Sequence, residues 1–129
     1  MNDVELAYLA GIVDGEGTVT MSRSGTRTYR PAVNVDSTDR ELIEWIHERC
    51  GGMIIEKKTY KSHHRQSYIW RLRNFAAVEM LAAILPFMVI ERKRKRAEII
   101  VRDFSCRGHY RDPGWKPRIE TALEVLAIK

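Results

Sequence analysis

At 129 residues the chain has room for one domain with a substantial core and too little for two, and its 44% hydrophobic and 30% charged residues are those of a globular protein. No apolar run reaches the length that spans a bilayer, which argues against a membrane role. A formal charge of +5 favours a polyanionic partner, because Lys and Arg that neutralise phosphates release counterions.

The start, Met1-Asn2-Asp3-Val4-Glu5, is acidic where a secretory signal is basic, so the protein is expected to stay inside a cell or organelle. Cys50 and Cys106 lack metal-type spacing and are expected to be free thiols. From Val4 to Asp14, apolar residues cover nearly every side of a predicted helix, expected to be buried all round, with Gly15 as its stop. Thr18 to Arg23 alternates as a half-buried strand does, and Ser24-Gly25-Thr26 reads as the turn into a second strand from Thr28 to Val35. Pro31 marks that strand as an edge or irregular at this point.

Ser37-Thr38-Asp39 offers N-caps for a helix whose stripe is Leu42, Trp45, Ile46 and Cys50 and which Gly51-Gly52 ends. Two further strands, Met53 to Tyr60 and Gln66 to Arg73, flank a polar loop holding His63 and His64. These histidines are adjacent and lack partners at ligand spacing, so DNA backbone contact or plain exposure is expected of them. Phe75 to Leu85 then reads as a helix with Val78, Leu81, Ala82 and Leu85 inward, stopped by Pro86; Arg92 to Phe104 reads as another. Arg107 to Pro117 is turn-rich, Trp115 within it has no assigned part, and Arg118 to Ile128 reads as a last helix.

This order predicts an α+β fold, αββαββα plus a C-terminal helix, with residues 1–106 as one domain and 107–129 as a turn-rich segment and helix. Its four strands can form one antiparallel sheet with helices on one face, over Val19, Met21, Val33, Tyr68, Trp70 and Leu72. Trp45, Trp70 and Tyr68 sit on apolar stripes and are expected to pack rather than stack on bases. The opposite face carries Thr20, Ser22, Thr28, Arg30, Asn34, Lys58, Arg71 and Arg73, and Arg23 and Arg27 lie near the first hairpin's turn. That set of donors, acceptors and positive charge suits the major groove of double-stranded DNA, which admits a two-stranded ribbon; a merely solvated sheet face is the alternative.

The segment Leu9-Ala10-Gly11-Ile12-Val13-Asp14-Gly15-Glu16-Gly17 resembles the motif that names the LAGLIDADG homing endonucleases, with Leu9, Ala10, Gly11, Asp14 and Gly17 identical. The resemblance extends over about residues 5 to 104 and implies a saddle-shaped sheet, a DNA-cleaving activity and, with one motif in the chain, a homodimer. The residues agree: Ala7, Ala10, Gly11 and Asp14 form a line of small side chains on which a second copy of the helix can sit closely. Asp14 and Glu16 lie at the helix C-terminus, where the macrodipole disfavours anions, so something positive should compensate. A hard divalent cation such as Mg2+ fits carboxylates better than zinc does.

By the resemblance, Glu16 holds that metal with the carbonyl of Gly15 in support, Asp14 is structural, and Lys93 in the run Arg92 to Arg96 stands near the attacking water, with Lys95 as its rival. Many relatives place Gln or Asn at the end of the second strand, where this chain has Ser37, so Ser37 is the remaining active-site candidate. A DNA-binding regulator that has lost cleavage, or a splicing helper that binds intron RNA, are the competing expectations.

Overall fold

The computed structural model describes residues 1–24, 28–57, 65–104 and 118–129, apart from the side chain of Ser24. Helix α1 (Asp3–Glu16) starts at a capping box: Glu5 N–H donates to the Asn2 side chain at 2.8 Å and Asn2 N–H to the Glu5 carboxylate at 3.2 Å. It runs through Gly15, and its stop is Gly17, where a Cβ would lie 2.7 Å from the Cα of Val13 and 2.9 Å from its carbonyl oxygen. The helix therefore carries Glu16 as its last residue and stops two residues further on than the glycine pattern suggested. Nor is it buried all round: Leu9, Ala10, Ile12 and Val13 face the core, whereas Val4, Ala7, Tyr8, Gly11 and Gly15 are exposed.

Strands β1 (Gly17–Ser24) and β2 (Thr28–Ser37) form the first hairpin. Helix α2 (Arg40–Cys50) leads through Gly51-Gly52 to β3 (Met53–Glu56), and β4 (Tyr68–Arg73) returns between β3 and β2. The sheet is antiparallel throughout, in the order β1-β2-β4-β3. Pairing of β2 with β4 begins only at Ala32, so Pro31 has a strand neighbour on one side alone and its missing N–H interrupts no inner ladder.

Val19, Met21, Val33, Val35, Trp70 and Leu72 project from one face of the sheet into the core, with Tyr68 partly buried beside them. Trp70 is fully buried, and its indole N–H donates to Gly51 C=O at 2.7 Å. Over this face lie α1, α3 (Asn74–Ile84), α4 (Glu91–Phe104) and α5 (Arg118–Ala127), with a short 3-10 turn at Leu85–Phe87. On α3 the buried residues are Ala77, Val78, Met80, Leu81 and Ile84, while Ala82, expected inward, is exposed. The helix is covered on several sides, by the sheet, α1 and α4, and Ala82 is on the side they leave open. Helix α5 packs on α4, β1 and β2 and adds Ala122 and Val125 to the common core.

Candidate active site and nucleic-acid interface

The end of α1 meets the start of α4, and each supplies what the other's terminus lacks. A helix C-terminus leaves carbonyls short of partners, and Lys93 Nζ donates to Asp14 C=O at 2.7 Å and to Val13 C=O at 3.1 Å, the latter also accepting from the capping Gly17 N–H. In return the Asp14 carboxylate accepts from the N–H groups of Val89, at 2.8 Å, and Ile90, at 3.3 Å, which lead into α4. The positive partner that the acidic helix end called for is thus present within the chain. Burial, and then the neighbouring Arg92, push the Lys93 ammonium below its ordinary pKa, while the Asp14 and Glu16 carboxylates act the other way.

The Asp14 and Glu16 carboxylates both act on Lys93, which is buried and held by backbone carbonyls. Asp14 is held by its own chain's α4. Glu16 is exposed and has no hydrogen bond or ion pair among the described residues. With the carbonyls of Val13 and Asp14 engaged by Lys93, that of Gly15 is next among the helix-terminal acceptors. Ser37 closes β2, where its Oγ accepts from Asp39 N–H at 2.9 Å in a local turn before α2. Lys95 is exposed and paired with Glu91 at 3.0 Å.

Among the residues expected to meet a second copy, Ala7 and Gly11 lie on the outward face of α1, where a Cβ on Gly11 would meet nothing within 4 Å. Ala10 does not: it is fully buried in the chain's own core, because it shares the α1 stripe of Leu9 and Val13. The outward face is instead Val4, Ala7, Tyr8, Gly11 and Gly15.

The open face of the sheet follows from the strand register. Thr20, Ser22, Thr28, Arg30, Asn34, Arg71 and Arg73 all alternate with core residues and fall on it. Arg23 does not, since it pairs with Tyr29 and shares the parity of Met21, which turns it to the helix side. Arg27, Lys58, His63, His64, Cys106 and Trp115 lie outside the described residues. Thr18, Met53, Ile55 and Ile69 also occupy this face. Thr18 was legible, one more step of the β1 alternation; Met53 and Ile55 were not, because their side depends on the β3–β4 register.

Ion pairs join many charged side chains elsewhere, such as Arg49–Glu5 at 2.6 Å and Arg40–Glu44 at 2.7 Å. On the open face, Arg30, Arg71 and Arg73 have no carboxylate partner among the described residues. Unpaired cations on a polar sheet are suited to phosphates and base edges.

The family model of the LAGLIDADG-like domain matches residues 3–83, from α1 to near the end of α3. The chain belongs to that family. Solved structures similar to this LAGLIDADG protein include the homing endonuclease I-CvuI, in complex with a target DNA in the presence of 2 mM Mg and with the DNA not cleaved. The two chains are 17% identical, with a TM-score of 0.71 over 98% of this chain and 82% of that one. An archaeal intron-encoded homing endonuclease complexed with DNA is 22% identical, with a TM-score of 0.65 over 98% of this chain and 85% of its own. The meganuclease I-SmaMI, bound to uncleaveable DNA, is 16% identical with a TM-score of 0.65; the match covers 96% of this chain and 44% of that one. At these identities the likeness is one of fold, which for this LAGLIDADG protein is the αββαββα arrangement. No curated protein matches by sequence.

Proposed function

We propose that this LAGLIDADG protein is a homing endonuclease: a homodimer that makes metal-dependent, sequence-specific double-strand breaks in DNA. The observation that carries the reading is the Glu16 carboxylate, exposed and without hydrogen bond or ion pair among the described residues, at the end of α1 where the chain enters β1 of a sheet whose open face carries Arg30, Arg71 and Arg73. The DNA complexes of the structural relatives support the same substrate.

Among the described residues no three His, Cys, Asp or Glu side chains are grouped. The donors the chain does offer, the Glu16 carboxylate and the Gly15 carbonyl, are hard oxygens. They fit Mg2+, which keeps several waters and takes a phosphate oxygen and one or two carboxylates, here one from each copy. When bound, the ion supplies a Lewis acid and an activated water for phosphodiester hydrolysis. The residues of the chain do the rest: the sheet face seats the duplex, Arg30 and Arg73 neutralise phosphates, and Lys93 and Asp14 hold the end of α1 so that Glu16 keeps its place.

One observation favours a non-cleaving DNA-binding regulator, or an RNA splicing maturase, on the same fold. The Ser37 hydroxyl is engaged by Asp39 N–H, and its short side chain replaces the amides that order water in many relatives. The experiment is cleavage of intron-free insertion-site DNA in Mg2+ by the native protein and by Glu16→Gln. The native protein is expected to cut both strands and the variant to bind while cutting slower by roughly 100-fold or more. Equal cutting by the variant, or binding by the native protein without cutting, overturns the proposal.

A further inference from the structure

A row of side chains crosses the open face of the sheet: Thr18 lies opposite Asn34, Asn34 opposite Arg71, and Arg71 opposite Met53. Within it Arg71 Nε donates to Asn34 Oδ1 at 3.0 Å, and both side chains are half-buried. The other open-face arginines have no such support among the described residues; Arg73 sits opposite Ala32, which has no acceptor, and Arg30 opposite Ser22. We infer that Arg71, oriented by Asn34, is a specificity-determining residue that reads a guanine in the major groove, once in each half of the target and close to the cut. This rests on the proposed function above.

The chemistry of the pair selects the base. With Nε engaged, the guanidinium presents its two Nη groups as a planar fork. Asn34 Oδ1 gives one of its two lone pairs to Arg71, and its NH2 group remains free to donate. The fork of the pair displays donors alone. Guanine presents two acceptors in the major groove, O6 and N7, whereas adenine and cytosine each present an amino donor and thymine a single carbonyl acceptor beside its methyl group. A donor-only fork set against an amino group leaves N–H groups unpaired, which penalises adenine and cytosine. Half-burial and the hydrogen bond to Asn34 also restrict the Arg71 rotamers before DNA arrives, so less freedom is lost on binding.

The row also locates the contact. Thr18 is two residues past Glu16, about 7 Å, and Arg71 lies two strand spacings, about 10 Å, across the sheet from Thr18, which puts the contact on the order of 12 Å, or three to four base pairs, from Glu16. In a twofold dimer the guanine recurs symmetrically on the inner part of each half-site.

The test is selection of bound duplexes from a randomised library by the native full chain in Ca2+, followed by affinity measurements on the selected site. The selected site is expected to carry a guanine at symmetric inner positions. Replacing it by adenine should weaken binding about 10- to 100-fold, and 7-deazaguanine, which lacks only the N7 acceptor, should cost part of that loss. Arg71→Ala removes the fork and every donor it carries, so it should bind the guanine, adenine and 7-deazaguanine duplexes within about threefold of one another. Asn34→Ala should show a reduced preference. A site with no inner guanine, no effect of 7-deazaguanine, or an unchanged preference in Arg71→Ala overturns the inference while leaving the endonuclease reading standing. Enrichment of no sequence at all overturns both. Because 7-deazaguanine is read on the unmutated protein, a variant that fails to fold still leaves a decisive measurement.

Discussion

Gly52 closes the turn into β3 with φ +88°, and a Cβ there would lie 2.6 Å from Arg71 C=O and 2.9 Å from Trp70 Nε1. Its neighbour Gly51 gives its carbonyl to the Trp70 indole. Only glycine accommodates both the left-handed backbone and this approach, so Gly52→Ala is expected to destabilise the protein by about 1–3 kcal/mol, read by urea unfolding. The Gly51-Gly52 pair was legible as the end of a helix. That Gly52 also lies against the strand carrying Arg71 was not, since Arg71 is distant in sequence and meets it only through the β3–β4 pairing. Glu16 was legible through the motif, but the partners of Lys93 were not, because the run from Arg92 to Arg96 contains several cations and only the packing of α4 buries Lys93. The pairing of Asn34 with Arg71 was likewise a matter of cross-strand register.

At the scale of elements, α1 and α4 are joined by a reciprocal exchange of charge. The Lys93 cation sits at the C-terminus of α1 and the Asp14 anion at the N-terminus of α4, each where the helix dipole favours it. Asp14→Ala removes the acceptor of two N–H groups and is expected to cost about 1–2 kcal/mol of stability, measured by thermal or urea unfolding. The same variant should loosen the end of α1 and reduce cleavage more than DNA binding, because Glu16 lies two residues on while the sheet face is untouched. Equal losses in both would assign Asp14 a direct part in DNA contact.

At the scale of the molecule, the outward face of α1 separates the folding of one chain from its pairing with another. Gly11 is exposed and a Cβ there meets nothing within its own chain. Glycine inside a helix is less favourable than alanine by about 0.5–1 kcal/mol. Gly11→Ala is therefore expected to raise the unfolding free energy of the isolated chain by about that amount and, if two α1 helices cross there, to weaken self-association, read by sedimentation as a shift toward monomer. A variant that gains stability with unchanged association would remove Gly11 from the dimer contact.

The amino-acid order by itself determined the helices and strands, the alternation that divides the sheet into a core face and a polar face, and the motif that singles out Glu16. These are local properties, set by periodicity, caps and turn residues within short stretches. Only the tertiary structure decided which side of α1 is open, that Ala10 is core, that Arg23 turns to the helices, and that Lys93 and Asp14 clamp two helix ends. A helix apolar on nearly every side does not declare its buried face, and a contact between residues some eighty positions apart exists only once the elements pack.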